Sequence, residues 1–145
     1  MARVYVSSVI NGAAARVWAR VRDFNGWSNW HPAIAESRIE NGEPADKVGC
    51  IRSFSLRNGD RLREQLLGLS DYDMFCTYSI LDSPMPLTNY VATLRLTPIT
   101  DQDRTFLEWS ADFDCAPDKE GELVSSIGGN VFQDGFDALK RAFGG

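Results

Sequence analysis

The sequence has a single histidine, His31, and this scarcity limits the catalytic schemes open to it. A zinc site with several histidine ligands is excluded, as is any mechanism that needs two histidines. The pattern Gly-x-Ser-x-Gly is also absent, which removes the usual signature of a serine nucleophile on an α/β sheet. No cofactor and no metal is implied by the sequence.

Cysteine is scarce as well: Cys50, Cys76 and Cys115 lie far apart and lack Cys-x-x-Cys spacing. An odd, scattered set is not a disulfide framework, so reduced thiols are expected. No stretch approaches the roughly 20 apolar residues of a transmembrane helix. The N-terminus MARVYVSSVI lacks the basic and apolar regions of a signal peptide. We expect a cytoplasmic protein without a membrane span.

Positive charge is outnumbered, with 15 Lys and Arg against 20 Asp and Glu and a net charge of -5. Binding to phosphates needs clustered cations, and the arginines here are scattered, so no nucleic-acid partner is expected. Large apolar side chains are plentiful instead, with 8 Phe, 4 Trp and 4 Tyr among 145 residues. The length predicts one domain over residues 1–145, and its aromatic residues can line a cavity as well as fill a core.

Alternating apolar and polar residues predict seven strands, at 2–10, 33–41, 47–57, 60–71, 73–82, 86–99 and 103–115. Two short helices are predicted after the first strand, at 13–22 and 24–30. Because the later strands follow one another without intervening helices, we expect an antiparallel meander. Residues 119–143 repeat apolar side chains at three- and four-residue intervals, which predicts one long helix. The expected class is α+β, with a curved sheet around that helix.

Three glycines lie within the predicted helix, at Gly128, Gly129 and Gly135. Each costs about 1 kcal/mol relative to alanine, which indicates either a close approach to the sheet or a space left for a ligand. A wide sheet and one glycine-containing helix predict an internal pocket that opens beside residues 56–60 and 84–87. A bulky residue at Gly128 or Gly135 is expected to fill that pocket.

Two charged residues, Arg52 and Glu64, share a strand face with apolar neighbours. A two-residue turn at Asn58 and Gly59 would put the two apolar stripes on opposite faces. A three-residue loop, 57–59, with Gly59 in the left-handed region, removes this conflict and places Arg52 opposite Glu64. The pair is interpreted either as a structural ion pair or as a polar anchor on the wall of an apolar cavity.

Inward-facing aromatic residues supply the other candidates for ligand contact. Tyr78 and Tyr90 are the preferred pair because a buried phenol needs a hydrogen-bond partner. His31, between Trp30 and Pro32, is interpreted as a structural residue or as a catalytic acid or base. The complete predicted ligand-binding set is Arg52, Glu64, Tyr78, Tyr90, Trp109, Phe132 and Phe136.

Three segments resemble those of a known superfamily: 48–52 (VGCIR), 64–71 (EQLLGLSD) and 87–90 (LTNY). The chain resembles the START and birch-pollen-allergen-like (SRPBCC) superfamily, in particular its polyketide cyclase/dehydrase-like branch, and is similar to the plant abscisic-acid receptors. The resemblance runs over nearly the whole chain and implies the helix-grip fold. It also implies that Glu64 contributes to ligand contacts.

The resemblance also marks differences from those receptors. The loop that matches the receptor gate, 56–60, is shorter, and the loop that matches the latch, 84–87, lacks the receptors' His-Arg pair. The receptor lysine that binds the hormone carboxylate falls near Glu36, and a carboxylate cannot replace it. Abscisic acid is therefore not the expected ligand.

The sequence is compatible with three functions. The first is binding or carriage of a small hydrophobic molecule, oriented by Arg52, Glu64, Tyr78 and Tyr90. The second is a cyclase or dehydratase-type enzyme that acts on a polyketide-like or other apolar substrate, with Glu64 or His31 as acid or base. The third is an interaction module whose cavity is filled by its own side chains. The sequence leaves open whether the chain is a monomer or a homodimer.

Overall fold

A computed structural model describes residues 1–144 and contains one antiparallel sheet of seven strands. The strand order is β1-β7-β6-β5-β4-β3-β2. The strands are β1 (Ala2–Ile10), β2 (Ile34–Ile39), β3 (Ile51–Leu56), β4 (Arg61–Ser70), β5 (Phe75–Asp82), β6 (Thr88–Ile99) and β7 (Arg104–Asp114). The predicted α+β architecture of a seven-stranded meander with a C-terminal helix is confirmed. Strand β3 is shorter than predicted because Gly49, at φ 97°, ends the extended conformation before it.

Strand β7 shows why the sheet has one covered face. Its residues alternate strictly between buried and partly exposed positions, as expected for a strand with one face on the core. Leu107, Trp109, Ala111 and Phe113 are buried on the inner face. The core therefore lies on the concave side, between the sheet and the helices.

The segment between β1 and β2 contains α1 (Ala14–Val21), which buries one face formed by Ala14, Val17, Trp18 and Val21. The second helix predicted at 24–30 is wrong in extent, because only a single 3₁₀ turn forms, at Trp27–Asn29. The Asp23 carboxylate accepts the Asn25 N–H at 3.2 Å, so this donor is bound to a side chain rather than to a helical carbonyl. Further 3₁₀ turns occur at Glu40–Gly42, Asp101–Asp103 and Pro117–Lys119.

The predicted C-terminal helix at 119–143 is confirmed in position, and its centre differs from a regular α-helix. It comprises α2 (Glu120–Ser126), a π-helical segment (Ile127–Gln133) and α3 (Asp134–Ala142). The buried residues Ile127 and Phe132 are five positions apart, and a π turn keeps such a pair on one side of the helix. Among residues 1–144, no helix combines the length and apolar character needed to cross a bilayer.

Candidate functional site

A cavity of about 430 Å³ lies between the sheet and the C-terminal helix. Its walls are mostly apolar side chains from β3, β4, β5 and the π-helical segment. The mouth is formed by the β3–β4 turn, the β5–β6 loop and one helix face, through Leu56, Arg57, Asn58, Asp60, Ser83, Pro84, Met85, Ser126 and Asn130. This volume falls within the roughly 300–1,000 Å³ range of small-molecule sites.

The Arg52–Glu64 pair stands on the cavity wall because of the turn between β3 and β4. Gly59 has φ 96°, and the Leu56 N–H donates to the Asp60 carbonyl at 2.8 Å. The resulting register pairs Arg52 directly with Glu64. The predicted three-residue loop and the predicted pairing are both confirmed.

Arg52 is held in place by three hydrogen bonds and by two aromatic rings. Its Nε and Nη2 donate to Glu64 Oε1 at 3.0 and 2.6 Å, and its Nη1 donates to the Phe24 carbonyl at 2.8 Å. The guanidinium carbon lies 3.9 Å from the Phe24 ring centroid and 4.0 Å from that of Trp27. Both side chains of the ion pair are buried, at 3% and 7% exposure. Such cation–π contacts are strongest when desolvated, so Arg52 is a rigid part of the wall.

In the part of the chain that the structure describes, one carboxylate oxygen of Glu64 accepts hydrogen bonds from the protein, and the other does not. Both of its hydrogen bonds within residues 1–144 end on Oε1, which leaves Oε2 without a protein donor there. Burial raises the pKa of Glu64, and the positive charge and hydrogen bonds of Arg52 oppose that rise. A buried carboxylate with a free oxygen can accept a hydrogen bond or a proton from a molecule in the cavity.

Tyr78, Tyr90 and Trp109 all line the cavity and form a second polar group on its mostly apolar wall, beside the Arg52–Glu64 pair. The Trp109 Nε1–H donates to the Tyr78 hydroxyl at 3.0 Å. The Tyr78 and Tyr90 ring centroids are 6.5 Å apart. Burial, followed by the negative charge of Glu64, raises the pKa of Tyr90, and burial likewise raises the pKa of Tyr78. Both phenols are therefore neutral donors at physiological pH.

A bulge positions Tyr90 in this polar group. The pairing of β6 with β7 shifts register between Thr88 and Val91, and Asn89 within the bulge has a positive φ of 54°. Its side-chain amide donates to Asp114 Oδ2 at 2.9 Å. Bulges of this kind redirect neighbouring side chains, and Tyr90 is buried on the inner face.

His31 lines the cavity, yet both of its ring nitrogens are bound to the backbone. Nε2 lies 2.7 Å from the Val131 carbonyl, so it carries the proton, and Nδ1 accepts the Ala33 N–H at 3.1 Å. Burial lowers the pKa of His31, which favours the neutral ring. This arrangement ties the start of β2 to the π-helical segment and leaves no ring nitrogen free to exchange a proton with a ligand.

Phe132 and Phe136 do not line the cavity, so their predicted place on its wall is wrong. Trp109 stacks on Phe132 with a centroid distance of 4.5 Å and contacts Phe136 at 5.8 Å. Both phenylalanines are fully buried. The Trp109 ring, which does line the cavity, therefore covers them from its other side, and they support the wall from behind.

The three helix glycines do not border the cavity either, which corrects the expectation that a bulky residue there would fill it. A Cβ at Gly135 would lie 2.9 Å from Trp109 and 3.0 Å from His31, so the helix crosses the sheet closely at this point. A Cβ at Gly128 would contact Val4 of β1 at 3.4 Å. One at Gly129 would meet nothing within 4 Å.

Several residues at the site were not identified from the sequence. The Phe24 carbonyl binds Arg52, and Ser126, Ile127, Asn130 and Val131 carry the helix side of the cavity. For the helix residues, the sequence did contain a signal: Ile127 and Phe132 are five positions apart, which departs from the three- and four-residue spacing of an α-helix. No sequence signal pointed to the Phe24 carbonyl, because a backbone contact depends on the local chain path.

A second depression, of about 520 Å³, lies on the opposite face of β3 and β4 and is lined mostly by polar residues. Its arginine Arg63 donates to Glu40 at 2.7 Å and to Asp82 at 2.7 Å, and Ser53 also hydrogen-bonds Glu40. The hydrogen bond from Arg63, followed by the one from Ser53, lowers the pKa of Glu40 to about 2. Because these charges satisfy one another, the inner cavity is the better candidate site.

The sheet, the single covering helix and the lined cavity define a protein with a sheltered interior site. The chain belongs to the polyketide cyclase/dehydrase and lipid transport family, whose model matches residues 1–144. This match confirms the resemblance to the START and birch-pollen-allergen-like superfamily and its polyketide cyclase/dehydrase-like branch. None of the curated proteins compared with the sequence matches it.

Solved structures similar to this chain come from bacteria and plants. A Thermobifida fusca protein, solved by solution NMR, is 33% identical with a TM-score of 0.89, over 99% of this chain and 94% of its own. The Bacillus cereus protein XoxI is 30% identical with a TM-score of 0.87, over 99% and 96%. Major latex-like protein 151 of Panax ginseng has a TM-score of 0.80 over 99% and 97%, at 12% identity. This last likeness is one of fold.

Proposed function

We propose that this protein binds and carries a small, largely apolar molecule in the cavity between the sheet and the C-terminal helix. The observation that carries the proposal is a cavity of about 430 Å³ that the protein's own side chains leave open and whose mostly apolar walls hold one buried ion pair, Arg52–Glu64. Apolar burial would supply the affinity and the few polar groups would orient the ligand. The family description, which includes lipid transport, agrees with this function.

The expected affinity sets the conditions of the test. A ligand of about 20 non-hydrogen atoms at roughly 0.3 kcal/mol per atom would bind with a dissociation constant on the order of 10–100 μM. Native mass spectrometry of the freshly purified protein would detect a molecule that remains bound. Titration with an apolar fluorescent probe would then measure stoichiometry, for which we expect one probe per chain.

Two serines of α2 supply a matched pair of variants. Ser126 lines the cavity mouth, whereas its exposed neighbour Ser125 does not. We expect Ser126→Trp to weaken probe binding about tenfold or more and Ser125→Trp to leave it unchanged. Equal affinity in both variants, or no binding to the wild-type protein, would contradict a carrier function for this cavity.

A cyclase or dehydratase-type enzyme is the second candidate, and the free oxygen of Glu64 favours it. A buried carboxylate with a raised pKa is suited to exchange a proton with a substrate near neutral pH. His31 is the weaker choice because both ring nitrogens are occupied. An activity lost in Glu64→Gln while ligand binding survives would identify an enzyme. A wild-type protein that binds apolar molecules and converts none of them would favour the carrier, and an activity retained in Glu64→Gln would exclude Glu64 as its acid or base.

A further inference from the structure

Glu64 presents a hydrogen-bond acceptor to the cavity. Among residues 1–144, the one buried and unpartnered polar side-chain atom is Trp30 Nε1. Glu64 Oε2 also has no protein donor within those residues. Since it is not among the fully buried unpartnered atoms, Oε2 has accessible surface. Because Glu64 lines the cavity, Oε2 is open to a molecule that occupies it.

The neighbouring tyrosines present a donor to the same space. Indole N–H is a donor only, so the Tyr78 oxygen accepts from Trp109 and its own proton points elsewhere. Tyr90 lines the same cavity, with its ring centroid 6.5 Å from that of Tyr78. A phenol hydroxyl has one proton to donate, and the hydrogen bonds within residues 1–144 give the Tyr90 proton no acceptor, so it is available to a ligand. Ile80 pairs with Glu64 across β4 and β5. On the next strand, Tyr90 immediately precedes Val91, the partner of Ser79. Glu64 and Tyr90 therefore stand two strands apart, about 10 Å between backbones, with their side chains in one cavity.

A carboxylate ligand would find little attraction at this wall. The Arg52 charge is already paired with Glu64 at 2.6 Å, and its guanidinium carbon lies 3.9 and 4.0 Å from the Phe24 and Trp27 ring centroids. An anion placed beside Glu64 would meet a like charge, which is unfavourable in a buried site.

On the basis of the proposed function, we propose that the cavity selects a neutral alcohol or phenol. The ligand hydroxyl would donate to Glu64 Oε2 and accept from the Tyr90 hydroxyl, and the apolar remainder would lie against the cavity walls. A ketone or ether would form only the Tyr90 contact.

Three ligands with the same apolar body test this selection: 4-pentylphenol, 4-pentylanisole and 4-pentylbenzoate. Each is titrated against the bound fluorescent probe at pH 7.5. The phenol should displace the probe at a concentration roughly tenfold or more below that of the anisole, as expected for one added hydrogen bond to a charged group. The benzoate should be the weakest.

Two variants assign the contacts. Glu64→Gln should reduce the advantage of the phenol over the anisole and improve binding of the benzoate, because the negative charge is gone. Tyr90→Phe should weaken the phenol and the anisole alike. Tyr72→Phe is the control, since Tyr72 is 93% exposed and outside the cavity.

The outcomes separate this inference from the function on which it rests. If the probe binds and the three ligands compete equally, or the benzoate competes best, the alcohol preference is overturned and the carrier function stands. If neither probe nor ligand binds to wild-type protein, the carrier function itself fails. The wild-type ligand series needs no variant, so a fold defect in Glu64→Gln does not remove the test.

Discussion

Replacing Arg52 by methionine would leave the Glu64 carboxylate buried beside aromatic rings without its cation. Removing one partner of a buried ion pair typically costs about 3–5 kcal/mol. The same substitution also deprives the Phe24 carbonyl of its donor at 2.8 Å. We therefore expect Arg52→Met to be among the most destabilising single changes in this domain.

The double variant Arg52→Met/Glu64→Leu tests whether the loss of stability in Arg52→Met comes from the unpaired Glu64 carboxylate. Removing both charges eliminates the uncompensated carboxylate and leaves the unpaired Phe24 carbonyl, which costs about 1–3 kcal/mol. The double variant should therefore be more stable than Arg52→Met, although it carries one more substitution. Such non-additivity is the signature of a direct interaction.

The pH dependence provides an independent check on Arg52→Met. Burial already raises the pKa of Glu64 above its usual value of 4.5, and loss of Arg52 raises it further. The folded variant then retains a proton that the unfolded chain releases, so its stability falls as pH rises above about 4.5, by at most about 1.36 kcal/mol per pH unit. The deficit relative to wild type should be larger at pH 8 than at pH 5.

Urea denaturation at both pH values measures these effects, with the slope of each transition checked for constancy. An Arg52→Met variant within about 0.5 kcal/mol of wild type, a size typical of neutral surface changes, would refute the reasoning. So would a double variant less stable than the single one.

Three further predictions concern the helix, the histidine and the turn. Gly135→Ala should lose about 1–3 kcal/mol because its Cβ would lie 2.9 Å from Trp109. Gly129→Ala, with no atom within 4 Å of its Cβ, should gain up to about 1 kcal/mol; urea denaturation compares them. The His31 ring, observed by NMR, should titrate below 6.5, the usual pKa, because it is buried, and its contribution to stability should fall as pH drops through that value. Gly59→Ala should cost about 1–2 kcal/mol because φ there is 96°.

Each of these has a clear contrary result. Equal stability of the Gly135 and Gly129 variants would show that the helix crossing is looser than the distances indicate. A His31 pKa at or above 6.5 would show that the imidazole is not held neutral by its two backbone partners. An unchanged unfolding midpoint in Gly59→Ala would show that the β3–β4 turn adapts without left-handed strain.

The sequence predicted those features that depend on local residue patterns alone. Alternation located all seven strands, and the conflict of apolar stripes at Asn58 and Gly59 was enough to pair Arg52 with Glu64. A one-residue register error there would have reversed every side chain of one strand, so the three-residue loop was compatible with a buried face and the two-residue turn was not. These predictions needed no information from distant parts of the chain.

Other features depend on how deeply a side chain is buried and on contacts between residues far apart in the sequence. The periodicity of apolar residues carries no information about either. Phe132 and Phe136 share the inward helix face, but whether an inward residue meets a cavity or the back of Trp109 depends on packing. The contact of His31 with the Val131 carbonyl joins residues 100 positions apart. The roles of Arg52, Glu64, Tyr78, Tyr90 and Trp109 in ligand binding stay predictions.

The order of the strands has a consequence for the synthesis of this protein on the ribosome. β1 is made first, yet its partner is β7, and Ala2 pairs with Phe113. At roughly 5–20 residues per second, β1 must wait several seconds for that partner, and the covering helix follows later still. During this interval the concave apolar face is uncovered, so the nascent chain is at its most vulnerable to aggregation just before residues 117–142 emerge.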